Sequence, residues 1–362
     1  MSTTQRLTTR MASPPARVPR GSLSDLRRAT ARLRYPGLLT CICVFVLLAM
    51  VADAGSLVYQ TRLYAGVFVR VIGPYVFLGL LCFALHRDRT EPLDAMRRTV
   101  RAYAPRFFEV LVPFVLLMAA FTTLKTAIPA VVPFYADPAL AELEAGLLGR
   151  DAWAVAHDLV PGWLSRVIFW LYGGPWFSCW LMTMMYVALQ PAGPARTRYL
   201  WAFTLKMMLL GVGLATMASS VGPLFYDAIY GGTRFAGLVA ALDHPASQDV
   251  LLSSRHLLTT YETGAQGLGS GISALPSIHC AAAFLNAFFW SERNTVAGAL
   301  AWGFAALIFV GSVLTGYHWI ADGVVSFVGV ALIWYGTGFF QRRAARRFAS
   351  ATSVSVGTKP SI

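Results

Sequence analysis

Apolar residues in this chain come in long runs set apart by short polar stretches. Runs able to cross about 30 Å of hydrocarbon occupy residues 38–59, 66–85, 107–128, 166–189, 200–221, 275–290, 295–317 and 319–340. The pattern predicts an all-α, polytopic bundle of about eight transmembrane helices. The sixth run is the shortest, reaching about 22–24 Å at 1.5 Å per residue. It is expected to start below the outer surface, with His279 recessed in the membrane.

Two polar stretches are long enough to do more than connect. Within residues 129–165, the piece 138–159 places leucines, alanines and tryptophan among acids at near-helical spacing. That predicts an interfacial helix, serving as a packed cap or as a guide for substrate. Residues 222–275 hold Gly231, Gly232, Gly264, Gly267, Gly269 and Gly271 and lead into Pro276-Ser277-Ile278-His279; a flexible loop and a movable lid both fit. The expected organisation is a basic tail (1–37), two additional helices (38–106), a membrane core (107–340) and a basic C-terminal tail (341–362), without a soluble domain or internal repeat.

Composition agrees: 56% of residues are hydrophobic and 13% charged, unlike an ordinary soluble domain. The net charge of +13 matters through its distribution. Arg6, Arg10, Arg17, Arg20, Arg27, Arg28, Arg32 and Arg34 precede the first run; Arg87 to Arg106, Arg196, Arg198, Arg293 and Arg342 to Arg347 fill every second connection and the C-terminus. The alternate connections hold Arg62, Arg150, Arg234 and Arg255 among more numerous acids. By the positive-inside rule both termini are cytoplasmic, and the ends of the sixth and seventh helices share the outer face. A bacterial inner membrane is the expected location. The basic residues orient the chain and meet anionic headgroups; without an aromatic-basic module they do not indicate nucleic-acid binding. The first 34 residues fit a cytoplasmic tail or an organelle transit peptide, with no cleavable secretory signal evident. Cys41, Cys43, Cys82, Cys179 and Cys280 all fall in predicted spans, with neither metal-ligand spacing nor an outer-loop disulfide framework.

His318 and Asp322 carry the candidate chemistry. Four residues apart on a helix, they share a face, and an ionisable pair in a membrane segment is a functional candidate by default. A neutral His318 imidazole suits attack on phosphorus, with Asp322 fixing its tautomer. His279 would protonate the leaving oxygen and then act as base. The start of the sixth helix, with Pro276 in the first turn, free N–H groups at Ser277, Ile278 and His279 and the Ser277 hydroxyl, is a candidate anion site. Three side chains would then suffice for two-step phosphoryl transfer, with no metal or cofactor. Other readings of the same residues are a polar packing network, a haem or metal site, and a proton relay in a transporter.

Pro276-Ser277-Ile278-His279 followed by His318-x-x-x-Asp322 resembles the second and third signatures of the type 2 phosphatidic acid phosphatase superfamily, whose members are membrane lipid phosphatases and phosphotransferases. The resemblance covers residues 107–340, matching a six-helix core. It implies a nucleophilic His318 that forms a phosphohistidine, a supporting Asp322 and a general-acid His279. Two features depart from the family: Gly311 and Ser312 stand where Ser-Arg is usual, and the first signature's lysine and Arg-Pro pair are absent. The stretch Ser219-Ser220-Val221-Gly222-Pro223-Leu224-Phe225-Tyr226-Asp227, with Tyr317-His318-Trp319, is similar to the inositol phosphorylceramide synthase-like branch, which moves phosphorylated headgroups between lipids. The implied partners are a phospholipid or lipid phosphate donor and a lipid hydroxyl or water acceptor. Lys125, Arg234 and Arg255 are the candidate replacements for the missing arginines. Tyr226 and Asp227 either line the site or pack beneath it.

Overall fold

The computed structural model describes residues 20–87 and 90–356. Arg6, Arg10, Arg17 and Arg89 of the basic segments, and the tail from residue 357, lie outside the described residues. The fold is 83% helical, without strands among the described residues. Hydrocarbon offers no partner for a backbone N–H or C=O, and a helix satisfies both internally.

The chain opens with α1 (Arg20–Val67), which passes through a π-helical turn (Phe68–Ile72) into α2 (Gly73–Arg87). Helical geometry breaks once within α1, at Asp53 (φ −162°, ψ 97°). There the Asp53 carboxylate accepts the Ser56 N–H at 2.8 Å, the bond made by a helix N-cap. Both arms then meet α3 (Pro92–Val131) at one level: Ile42 lines a crevice with Phe114, and the Phe68 and Phe114 rings lie 5.5 Å apart. The chain therefore reverses at Asp53, earlier than the connection expected between residues 59 and 66. A cap buried in an apolar run leaves no trace in hydropathy.

The expected interfacial helix is two helices, α4 (Asp137–Leu148) and α5 (Ala152–Leu159), broken where Gly149 turns left-handed at φ 78°. Helix α4 faces the bundle with Asp137, Ala141 and Glu144, all buried. Next come α6 (Gly162–Leu189) and α7 (Pro194–Leu205), which widens into a second π-helical stretch (Lys206–Leu214) before α8 (Ala215–Met217). The second long connection is largely helical: α9 (Pro223–Tyr230), α10 (Ala236–Ala241) and α11 (Gln248–Thr263). Helices α12 (Ile278–Ser291), α13 (Thr295–Leu314) and α14 (Ile320–Val356) complete the chain.

A helix carries each of the eight apolar runs, and five described stretches are long and apolar enough to cross a membrane: Pro36–His86, Pro92–Val131, Pro194–Met217, Thr295–Leu314 and Ile320–Arg347. Helix α12, with 14 residues, reaches only about 21 Å. At one end of the bundle, Arg198 grips Glu292 at 2.7 Å and the Trp334 carbonyl at 3.0 Å, and Arg196 pairs with Glu109 at 3.0 Å. At the other end, the turns after α8 and between α13 and α14 press together. Gly222 has φ 85°, and a Cβ there would lie 2.3 Å from the Tyr317 carbonyl oxygen. Only glycine fits so close a backbone approach at positive φ.

Candidate active site

Three chain segments meet at that end and are laced by hydrogen bonds. Ala274 donates its N–H to the Ser220 carbonyl at 2.9 Å, and Leu275 donates to the Ser220 hydroxyl at 2.9 Å. Ser277 donates its N–H to the Asp322 carbonyl at 3.4 Å. These bonds tie the end of α8 and the start of α12 to the α13–α14 turn, which carries His318.

Asp322, fully buried in the first turn of α14, reaches back to accept the Trp319 N–H at 3.0 Å. Its Oδ2 also lies 3.1 Å from His318 Nδ1, which is 2.9 Å from the Ala274 carbonyl oxygen. Both partners are acceptors, so Nδ1 carries the proton. The neutral ring then keeps its lone pair on Nε2. His318 lines a cavity of about 410 Å³, and His279 lines it too, with ring centroids 6.0 Å apart. His279 is clasped by α6: Tyr172 stacks on it at 4.8 Å, Trp176 sits 4.0 Å away, and the Trp176 indole N–H donates to the His279 carbonyl at 3.0 Å.

The other expected site residues divide clearly. Lys125 and Ile278 line the cavity. Pro276 and Ser277 are buried outside its lining. Pro276 precedes the helix instead of occupying its first turn, because Ser277 is the N-cap and its hydroxyl accepts the Cys280 N–H at 3.3 Å. With the Ser277 N–H and hydroxyl both engaged, the anion site expected at this helix start is reduced. Tyr226 packs on Phe235 and Trp319, with ring centroids 5.0 and 6.4 Å away, and Asp227 accepts the Phe235 N–H at 2.9 Å. Neither lines the cavity. Arg234 is engaged with Glu142 at 2.5 Å and Asp151 at 2.9 Å, and Arg255 is exposed on α11, away from the cavity lining.

Sequence reasoning passed over five residues that shape this site: Tyr172, Trp176, Lys206, Asp137 and Glu144. The two aromatics sit in an apolar run where a lipid-facing ring gives the same signal. Lys206 also sits in an apolar run, 1% exposed, with its ammonium 4.3 Å from the Phe203 ring centroid and no hydrogen-bond acceptor among the described residues. A desolvated cation–π contact is worth about 2 kcal/mol, against several kcal/mol for burying the charge. The ring offsets only part of that cost.

Asp137 is 0% exposed and accepts from Val221 N–H (2.9 Å), Gly222 N–H (2.8 Å), the Tyr230 hydroxyl (3.0 Å) and the Trp319 indole (2.9 Å). Burial, then the Asp137 charge, push the Tyr230 phenol up. Glu144 accepts the Ala321 N–H at 3.3 Å at the start of α14. Burial pushes its carboxyl up to about 7, with Asp322 and Asp151 adding to the rise against the pull of the Ala321 and Ile320 N–H groups.

A helical membrane bundle with two facing histidines at one cavity, one of them backed by a buried aspartate, defines an integral membrane protein with a candidate active site inside the bundle. Residues 138–336, more than half of the sequence, match the PAP2 superfamily, and the chain belongs to it. At that level it is a phosphatase-type lipid phosphoesterase with a lipid phosphate as substrate. No curated protein and no solved structure matches the chain.

Proposed function

We propose that the protein is a metal-independent lipid phosphatase or phosphotransferase that works through a phosphohistidine on His318. The observation that carries this reading is the single cavity in which His318, its proton held on Nδ1 by Asp322 and Ala274, faces His279. In the first half-reaction the Nε2 lone pair forms an N–P bond as the bond from phosphorus to the leaving oxygen breaks. His279 gives its proton to that oxygen, and Asp322 stabilises the charge gained by the His318 ring. In the second, the oxygen of water or a lipid hydroxyl attacks phosphorus, its proton passes to His279, and the N–P bond breaks. Both histidines return to their starting states.

The likeness of residues 219–227 and 317–319 to the inositol phosphorylceramide synthase-like branch supports transfer of a phosphorylated headgroup to a lipid hydroxyl. Residues 107–340 then form the catalytic core, with 38–106 added to it. The arginine distribution supports cytoplasmic termini and a site on the periplasmic or lumenal face. Purified protein given labelled phospholipids and lipid phosphates, with and without diacylglycerol or ceramide, should turn over at least one donor, and His318→Ala should be folded and inactive. Free phosphate without acceptor dependence identifies a phosphatase, and an acceptor-dependent lipid product identifies a transferase. Activity retained in His318→Ala would sink the mechanism.

A further inference from the structure

Two cationic side chains, Lys125 on α3 and Lys206 at the start of the second π-helical stretch, line the same cavity as the histidine pair. Neither has a carboxylate partner among the described residues. Unpaired charge within a membrane segment and facing a cavity marks a substrate path, and π-helical insertions concentrate at functional sites. The remaining ionisable lining groups are the two histidines, the tyrosines and Asp249. Asp249 is exposed in the first turn of α11, where solvent screens it. With His318 neutral and the His279 proton spent on the leaving oxygen, the buried part of the cavity presents its two lysine side chains to the phosphoryl group.

We propose that Lys206 and Lys125 form the anion cage of this site, taking the place of the absent arginines, and that the cage is matched to a phosphomonoester dianion. The inference rests on the phosphoryl-transfer reading above and favours its phosphatase arm, since transfer of a phosphorylated headgroup needs a phosphodiester donor. A phosphomonoester carries about −1.5 to −2 at neutral pH, which two ammonium groups neutralise. A phosphodiester carries a single negative charge and leaves one buried lysine unpaired. The cage also accounts for a lysine otherwise held at a net cost: its charge finds a partner only when ligand enters.

The test uses full-length protein in lipid nanodiscs. Binding of inorganic phosphate, of a short-chain phosphatidate and of a short-chain phosphatidylinositol is measured for wild type, Lys206→Met, Lys125→Met, Lys206→Arg and His318→Ala, alongside melting temperature and turnover. Wild type should bind phosphate and the monoester more tightly than the diester. Each methionine variant should lose about tenfold or more in affinity, as expected for removal of a charged hydrogen bond, and Lys206→Arg should recover most of the loss. Lys206→Met should melt higher than wild type, because an unpaired buried charge is gone; a structural lysine would give the opposite shift. His318→Ala should keep binding phosphate without turnover. Unchanged phosphate affinity in Lys206→Met, no phosphate binding by wild type, or preference for the diester would each overturn the cage. Turnover by His318→Ala with phosphate binding still lost in Lys206→Met would overturn the nucleophile and leave the cage standing.

Discussion

Asp137 shows how much of the site depends on residues that touch no substrate. Its two carboxylate oxygens receive two backbone N–H groups, one phenol and one indole, and the indole belongs to Trp319, next to His318. Asparagine would turn one acceptor into a donor aimed at other donors. Hydrogen bonds to a charged group are worth about 1.5–3 kcal/mol each, so Asp137→Asn should lower unfolding stability by at least about 2 kcal/mol and turnover with it, as read by thermal melting and by kcat on any donor the wild type accepts. A variant with unchanged melting and kcat would remove Asp137 from this role. His318, Asp322 and His279 were legible in the sequence because ionisable groups beside apolar runs stand out. The same rule applies with equal force to Lys206, which sits in the middle of the fifth run. Asp137 was not legible: an acid in a polar connection reads as solvated, and only the fold shows it buried.

At the scale of elements, α4 takes the packed-cap role with an unexpected face inward. Its inward face is Asp137, Ala141 and Glu144, an acidic stripe that a hydrophobic-periodicity argument assigns to solvent. The helix is a cap whose carboxylates meet the backbone N–H groups of the turns that carry the site, one of them at the N-terminus of α14, where negative charge is favoured. Burial nevertheless raises the Glu144 carboxyl from its ordinary value of about 4.5 to about 7. The folded state therefore holds this proton more tightly than the unfolded chain. Its stabilising contribution is fully present below pH 4.5 and is lost as pH rises through 7. Wild-type melting temperature should accordingly fall between pH 5 and 8, flanking the shifted value of about 7. Glu144→Gln, which keeps the acceptor for Ala321, should flatten that slope. Parallel pH profiles for the two proteins would contradict the assignment. The cap was one of the two roles open from the sequence; its acidic inward face was not readable, because hydropathy ranks a buried carboxylate and a solvated one alike.

Over the whole molecule, the hydropathy pattern gave the helical bundle and its apolar runs, while the reversal at Asp53 and the helical content of the second connection came only with the fold. The N-terminal hairpin also has a role its composition does not show. Ser56 donates to Gln266 Oε1 at 2.9 Å, and Gln60 donates to the Gly267 carbonyl at 3.2 Å, so the hairpin pins the glycine-rich segment that lines the cavity through Gly269 and Gly271. The orientation of the bundle is open to a direct check. In a variant without the five native cysteines, a single cysteine replacing the exposed Glu142 should react with a membrane-impermeant maleimide in intact cells. One replacing Arg342 should react only after permeabilisation, and the reverse pattern would invert the proposed topology.

The widened stretch from Lys206 to Leu214 acts as a phase shifter. One residue is about 100° of rotation at 3.6 residues per turn, so removing a single residue there would return the helix to ordinary winding and swing Lys206 off the cavity while leaving its identity unchanged. The site is thus encoded partly in the length of a segment, and a relative that kept the lysine but lost the extra residue would keep the letter and lose the function.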